Sequence, residues 1–324
     1  MTANNTGLNP VAGVVTQLDN ANTAAEAMVQ AGMNWQVAMK DLYILDKQGT
    51  YHLVPGRKAC TRRDTGDVFG VFSPQYTPFQ WSGPTGTFAF MDECMPDGGV
   101  YHQAGVTRGG ARGFLKVKLP GTLKVNDRDW LTMSIMLVDS YDGTSAFTIR
   151  PDLVRACCSN QFAPKIRTLA ESAAGSIRDR MMSTIKIVHK GDVVSKLRAA
   201  QEVMALQESY FLEVLRECQF LAQERAPDME AFLVDLFGQQ EHPEAIGVRV
   251  RNQMDAVDRV YREDGVMIDT TRWGVYNAVT QWVDHERGYR SLKDPVEARS
   301  KRLEAAWFGS GAELKQRAWD LLTV

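Results

Sequence analysis

The sequence predicts an α+β fold, in which an antiparallel β-hairpin and a β-meander pack on long helices and a helical C-terminal region follows. Three observations predict it. Apolar and polar residues alternate through 100–150, which is the period of β-strands. Paired turn residues such as Gly109-Gly110 and Pro120-Gly121 separate the alternating runs. From Lys165 onward, apolar residues instead recur with the period of an amphipathic helix.

Length and composition bound the organisation of the chain. Its 324 residues suffice for one large domain or two ordinary ones, and 44% hydrophobic with 23% charged residues is typical of a soluble globular protein. The net charge of −2 argues against a nucleic-acid binder that works by overall charge alone, although it leaves room for a local basic face. We expect three regions: an N-terminal arm at 1–35, a β-rich core at 36–165, and a helical region at 166–324 that packs on the core.

The β-rich core divides into a hairpin and a meander. A short helix near 22–31 precedes the hairpin, which pairs 41–46 with 51–55 across a KQGT turn. A compact apolar strand follows at 68–73. The meander has candidate strands at 100–108, 112–119, 130–138 and 144–150.

Two long amphipathic helices are predicted after the meander. The apolar stripe of the first runs from Ile166 to Val188, and that of the second runs from Val193 to Cys218. Packing against the sheet or against neighbouring helices is the favoured interpretation, and a subunit contact is the alternative. Shorter helices are predicted at 228–238, 243–262, 272–287, 295–308 and 311–322.

The second strand of the meander has two unlike faces, because side chains alternate along a strand. One face is apolar and suited to packing on helices: Leu115, Val117 and Leu119. The other face is basic with one aromatic ring: Arg112, Phe114, Lys116 and Lys118. Cations beside an aromatic ring make a platform for a nucleic-acid backbone and its bases. We therefore expect the basic face to remain free for a ligand.

A second group of cations surrounds a turn in the N-terminal half: Arg57, Lys58, Arg62 and Arg63. A solvated hairpin edge, where charge discourages aggregation, is the alternative to a binding patch. The Gly-rich RGGARG at 108–113 can contact phosphates through its arginines and backbone N–H groups, although a tight hairpin turn explains it equally well. The predicted nucleic-acid-binding residues are Arg62, Arg63, Tyr76, Arg108, Arg112, Phe114, Lys116 and Lys118, with Phe114 or Tyr76 stacking on bases.

No motif predicts catalysis, a metal or a cofactor. The sequence lacks the phosphate-cradling GxxxxGK[ST], the HExxH motif and the Cys/His spacing of zinc sites. A catalytic pair of Asp284 and His285 stays open beside the interpretation that these residues make structural hydrogen bonds. A reactive Cys157 stays open as well, although a structural cysteine is favoured. We expect a protein that is not an enzyme.

The cysteines and the N-terminal sequence indicate the cellular compartment of the protein. The five cysteines are odd in number and none has CxxC spacing, which favours reduced thiols in a cytosol. The N-terminus lacks the basic and apolar regions of a signal peptide, and no window approaches a membrane span. We expect a cytoplasmic protein with no membrane association.

Several segments together carry a family resemblance: ACTRRDTGDVFGVFSPQYTPFQ, GARGFLKVKLP, DSYDGTSAF, VRACCSNQFA, TRWGVYNAVTQWVDHERG and AWFGSGAELKQRAWDLL. From about Lys40 to its end, the chain resembles the phage/plasmid-like protein family defined by an uncharacterised domain, domain of unknown function 932. The doubled Cys157-Cys158 departs from the pattern, which has a single cysteine there. The resemblance implies a bacteriophage or mobile-element origin, hence a bacterial host cell, and no established reaction.

The predicted order of elements is also similar to the core of phage and eukaryotic single-strand annealing proteins (Rad-type, Erf-like and Red-beta-like). This resemblance implies homo-oligomers, as rings or filaments, that hold single strands in a basic groove. We expect a single-stranded-DNA-binding and annealing protein that acts in recombination without nucleotide hydrolysis. The alternative is a phage protein–protein interaction or structural assembly module that binds a host factor.

Overall fold

The computed structural model describes residues 14–83, 86–156, 160–162, 164, 185–187, 207–238, 246–263, 270–288 and 294–324. The strands are β1 (Val15–Gln17), β2 (Val37–Leu45), β3 (Tyr51–Arg62), β4 (Val68–Phe72), β5 (Val100–Thr107), β6 (Arg112–Lys118), β7 (Leu123–Asn126), β8 (Asp129–Ser140), β9 (Phe147–Arg155), β10 (Gln161–Phe162) and β11 (Ile185–Ile187). The helices are α1 (Ala24–Gln30), α2 (Phe90–Cys94), α3 (Gln207–Gln223), α4 (Met229–Leu236), α5 (Val248–Glu263), α6 (Arg272–Gln281), α7 (Pro295–Phe308) and α8 (Ser310–Leu322).

Eight of the described strands form one antiparallel sheet, in the order β1-β5-β6-β8-β9-β10 with β7 beside β8 and β11 beside β9. In its centre, Leu115 of β6 lies opposite Leu137 of β8, which in turn lies opposite Ile149 of β9. The four strands predicted for the meander correspond to β5, β6, β8 and β9, and β7 is an addition. The predicted α+β class is confirmed.

A separate three-stranded sheet has the order β2-β3-β4. Its β2–β3 hairpin is the one predicted around the KQGT turn, but the two strands are longer than expected. Strand β4 pairs with β3 only between Lys58 and Thr61. The outer part of the hairpin is therefore a two-stranded ribbon that extends past the third strand.

The helical C-terminal region is present, and its predicted short helices match α4 to α8 closely. The predicted helix at 272–287 consists of α6 and a π-helical segment, Trp282–Glu286. The helix predicted from Ile166 to Val188 falls largely outside the described residues, and it is wrong at Ile185–Ile187, which pair with β9 as a strand. Two β-branched residues in three suit an open sheet edge better than a helix. No helix among the described residues has the length and apolar character needed to cross a membrane.

Both faces of the large sheet are buried, each in its own hydrophobic core. Leu115 and Val117 face a layer made of α1, α2 and the three-stranded sheet. Phe114 and Met136 face the C-terminal helices. The expectation that helices cover the Leu115 face and leave the opposite face free is therefore wrong. The C-terminal helices lie on the face that carries Phe114, and their aromatic side chains, such as Trp307, bury it.

Candidate functional site

A cleft of about 1030 Å³ lies between the β5–β6 turn and one side of α7, and we call it the turn–helix cleft. Its described lining combines apolar side chains, including Val106, Val296 and Phe308, with seven charged ones. The cations are Arg62, Arg108, Arg112 and Lys301, and the carboxylates are Asp294, Glu297 and Glu304. Four cations against three carboxylates leave one net positive charge on the described lining.

The β5–β6 turn forms the mouth of the cleft and has an uncommon backbone. Arg108, Gly109 and Gly110 all have left-handed φ values, of 55°, 66° and 91°. Glycine adopts this region freely, whereas Arg108 does so at a cost of order 1 kcal/mol. The backbone N–H of Arg108 donates to the Ser300 hydroxyl at 3.0 Å, which offsets that cost and attaches the turn to α7.

The side chain of Arg108 stays partly exposed and donates through Nε to Asp142 at 2.5 Å. Burial acts to raise the pKa of Asp142, but hydrogen bonds from Thr144 and from Arg108 hold that pKa below its ordinary value. The Asp142 carboxylate is therefore charged at neutral pH and orients the guanidinium at the cleft mouth.

Arg112 is buried deeper in the cleft. Its Nη1 donates to Glu304 at 2.5 Å and its Nη2 donates to Thr144 at 2.9 Å. The guanidinium also lies over the ring of Phe308, 5.1 Å from the ring centre. Burial lowers the pKa of Arg112, although Glu304 opposes the shift. These contacts make Arg112 a link between β6 and α7, with only a small part of its surface open to a ligand.

Arg62 brings the end of β3 to the same cleft. Its Nε and Nη2 donate to both carboxylate oxygens of Asp64, at 2.7 and 2.9 Å. The guanidinium lies over the indole of Trp35, 4.6 Å from the ring centre. The hydrogen bonds to Asp64 raise the pKa of Arg62. The structure thus brings together three of the predicted residues, Arg62, Arg108 and Arg112, from two distant parts of the sequence.

Two predicted residues are placed where no ligand reaches them. Phe114 is fully buried and packs edge-on against Trp307, with ring centres 5.2 Å apart. Lys116 is fully buried as well, and it forms an ion pair with Asp152 at 2.9 Å while lying 4.1 Å from the ring centre of Trp307. The prediction that these residues form a free platform is wrong, because α7 covers this face of β6.

The other three predicted residues lie outside the cleft lining. Lys118 is exposed, but it ends β6 at roughly 20 Å from Arg112, judged by the rise per residue of a strand. Arg63 is exposed next to Arg62, and its backbone N–H donates to the carbonyl of Gln36. Tyr76 is partly buried and stacks on Phe72, with ring centres 4.0 Å apart. Its ring is therefore committed to internal packing.

A polar seam joins the sheet to the C-terminal helices and contains Asp284 and His285. The carboxylate of Asp284 accepts from Lys315 Nζ at 2.7 Å and from the backbone N–H of Gln161 at 2.9 Å. The Nε2 of His285 lies 3.0 Å from the side-chain oxygen of Asn160. The π-helical segment Trp282–Glu286 thus anchors β10 and the adjoining Asn160 through hydrogen bonds, as the structural interpretation predicts. Cys157 lies outside the described residues.

The seam encloses a small cavity of about 50 Å³, beside Arg150, Asp152 and Lys315. This volume has room for a few water molecules and none for a substrate of ordinary size. Within the described residues, no three His, Cys, Asp or Glu side chains come together as a metal site would require. The turn–helix cleft is accordingly the better candidate for a binding site.

Sequence reasoning missed the side of the cleft formed by α7. Ser300, Glu304 and Phe308 are four residues apart, so they share one side of this helix. The helix bounds were predicted correctly, and this spacing was visible in the sequence. What the sequence lacked was any indication that the side faces the β5–β6 turn, almost two hundred residues earlier.

Comparison with known proteins gives a family for this chain. A family model described as Domain of unknown function (DUF932) matches residues 68–307. The chain belongs to this family. The matched residues include the β5–β6 turn and nearly all of α7, so most of the cleft lies within the DUF932 domain. Searches of curated proteins and of solved structures found no match.

Proposed function

We propose that this DUF932 protein binds single-stranded nucleic acid in the turn–helix cleft and promotes the annealing of complementary strands. The observation that supports the proposal is the meeting of Arg62, Arg108 and Arg112 at one cleft. Guanidinium groups pair with phosphates in a bidentate manner, and the apolar lining suits the faces of sugars and unpaired bases.

The mode of action follows from what the cleft offers. Annealing needs strands that are held extended and then released, and it needs no nucleotide hydrolysis. Each arginine of the cleft already has a carboxylate partner, so a phosphate has to compete with Asp64, Asp142 or Glu304. The binding is therefore moderate and reversible, and it weakens steeply with salt. Recombination in a phage or mobile element is the setting that we propose for this activity.

The test is fluorescence anisotropy of a labelled single-stranded oligonucleotide at low salt. The variant Arg62→Gln with Arg108→Gln removes two charges from the cleft while keeping hydrogen-bond donors. Both side chains are partly exposed, so the fold tolerates the change. We expect affinity to fall by about tenfold.

A matched control removes two exposed cations elsewhere, through Arg128→Gln with Arg251→Gln. This control should bind as the wild type does. No binding by the wild type, or equal losses in the two double variants, would contradict the proposal. Strand annealing is then followed by energy transfer between two labelled complementary oligonucleotides without ATP.

An assembly or protein-interaction module is the second candidate function. The specific observation in its favour is the exposed apolar surface at the outer end of the β2–β3 hairpin, which the turn–helix cleft does not use. Wild-type protein that binds no single strand but forms a defined complex with another protein would favour this function.

A further inference from the structure

The outer end of the β2–β3 hairpin carries an apolar surface that no described residue covers. Tyr43 is 52% exposed, Leu45 59%, Tyr51 72% and Leu53 54%. We call these four side chains the tip face. Large apolar side chains exposed together on a strand pair are uncommon in isolated proteins and mark contact sites.

The strand register fixes how the four side chains are arranged. Tyr43 lies opposite Leu53, and Leu45 lies opposite Tyr51. Opposed residues of an antiparallel pair, and residues two apart on one strand, point to the same side. The tip face is therefore a square with the tyrosines on one diagonal and the leucines on the other.

In the part of the chain that the structure describes, both edges of the ribbon are open along this stretch. Strand β2 is an edge of its sheet, and β4 pairs with β3 only between Lys58 and Thr61. Among the described residues, the segment from Tyr51 to Arg57 therefore has β2 as its one neighbouring strand. A two-stranded ribbon is of marginal stability by itself, so a partner on its apolar side would stabilise it.

We propose that the tip face is a self-association surface, on which the tip face of a second copy of this chain docks around a two-fold axis. The checkerboard arrangement favours a second copy over other partners. A two-fold axis parallel to the strands places Tyr43 against Leu53 of the partner subunit. An axis across the strands places Tyr43 against Leu45 of the partner subunit. Either way each tyrosine meets a leucine, so the surface is complementary to itself.

Charge is compatible with a self-contact. The base of the ribbon pairs Asp41 with Lys58, and its tip pairs Asp46 with His52 beside Lys47. Both ends thus carry charges of both signs, and the exposed Lys40 and Arg57 add positive charge at the base, so the charges of two copies oppose the contact only weakly.

The available area indicates a reversible contact. With roughly 200 Å² for each large side chain, the exposed fractions amount to about 450–500 Å² per copy. Two copies would bury about 900–1,000 Å² in total, which is at the lower limit for a specific interface. The association should accordingly depend on protein concentration.

The inference is independent of nucleic-acid binding and is tested without nucleic acid. Sedimentation velocity over a concentration series measures the dimer of the full chain. Leu45→Asp and Leu53→Asp should each abolish the dimer, whereas Val248→Asp on α5, at a position that is 75% exposed, should leave it unchanged. Because all three sites are exposed, circular dichroism and melting temperature should match the wild type.

Mixed variants test for the homotypic contact itself. Leu53→Asp should associate with Tyr43→Lys if the axis is parallel to the strands, and with Tyr51→Lys if it crosses them. Association in one mixture, with each variant monomeric alone, would support the proposal. A monomeric wild type, a dimer that survives Leu45→Asp, or association in neither mixture would overturn it.

Discussion

The ammonium of Lys116 on β6 lies 2.9 Å from the carboxylate of Asp152 on β9, and both side chains are buried between the sheet and α7. Strand β8 runs between the two strands, so the lysine side chain crosses a neighbour to reach its partner. Burial lowers the pKa of Lys116 to about 8, although Asp152 opposes the shift. A lysine that the sequence presents as a ligand for phosphate is thus part of the protein's interior.

Removing one member of this pair should be costly. Lys116→Met leaves the Asp152 carboxylate buried without its cation, so we expect the free energy of unfolding to fall by about 3–5 kcal/mol. The double variant Lys116→Met with Asp152→Leu should lose less than the single one, because no charge is then left unpaired. Urea unfolding measures both. If the stability losses of the two single variants simply add up in the double variant, the two side chains do not interact as a buried ion pair.

Gly113 should be intolerant of a side chain. A Cβ at this position would lie 2.7–2.9 Å from ring atoms of Trp81, which is buried and packed against other aromatic rings. Gly113→Ala should therefore destabilise the fold by about 1–3 kcal/mol. Gly121→Ala is a useful comparison, since that position is open but has a left-handed φ of 78° and should lose only about 1 kcal/mol. Equal thermal stability of wild type and Gly113→Ala would show that the contact is looser than described.

Acid should weaken the fold through His102. Burial, with Lys116 nearby, lowers the pKa of His102 from its ordinary 6.5 to about 4. The unfolded chain therefore binds a proton that the folded chain does not, and stability falls as the pH drops from about 6.5 to 4. The loss from this group is at most about 3 kcal/mol. His102→Gln should unfold with a shallower pH dependence over that window, and an unchanged dependence would refute the assignment.

The carboxylates of the turn–helix cleft should oppose the binding of a single strand. Glu297 is exposed and pairs with Lys301 one turn away, so Glu297→Gln should cost little stability. We expect it to raise affinity for a single-stranded oligonucleotide severalfold, because one competing negative charge is removed. Glu213→Gln, which breaks a similar pair with Arg216 on α3, should leave affinity unchanged. Anisotropy titrations compare the two variants, and a gain of the same size in both would point to a nonspecific charge effect.

The salt dependence of single-strand affinity should report how many phosphates the cleft neutralises. For single strands, the slope of log affinity against log salt is about −0.7 for each neutralised phosphate. Arg62→Gln with Arg108→Gln should make the slope shallower by about 1.4. The double variant Lys116→Met with Asp152→Leu should leave the slope unchanged, because both side chains are buried and no charge is left unpaired. A shallower slope in this double variant would support the basic platform that the sequence alone predicts.

Local patterns in the sequence predicted most strands and helices, but they did not predict which of these elements pack on each face of the large sheet. The KQGT turn predicted the β2–β3 hairpin, and the Gly109-Gly110 pair predicted the turn between β5 and β6. Alternation along β6 correctly separated Leu115 from Phe114. It could not say which layer covers each face, because that depends on helices encoded far downstream. Nothing in the sequence around Asp152 indicates that it pairs with Lys116, so Lys116 was predicted to be free to bind a phosphate.

The site was predictable to a similar extent. Arg62, Arg108 and Arg112 were named from charge and turn chemistry, and the fold brings them to one cleft. The carboxylate partners of Arg108 and Arg112 were not predicted. Asp142 and Glu304 lie 34 and 192 residues further along the chain, and no sequence pattern indicates ion pairs between residues so far apart. The tip face was not predicted, because apolar residues that alternate along a hairpin are ordinarily expected to be buried against the rest of the same chain.

Glu304 contacts Arg112 and Thr107, which precede it by 192 and 197 residues. During synthesis at roughly 5–20 residues per second, about 10–40 s pass between the emergence of Arg112 and that of Glu304. Until α7 emerges, Phe114 and Lys116 lack the ring of Trp307 that covers them in the folded protein. Helix α7 therefore covers this face of β6 late in synthesis, and we expect a chain truncated before α7 to be prone to aggregation.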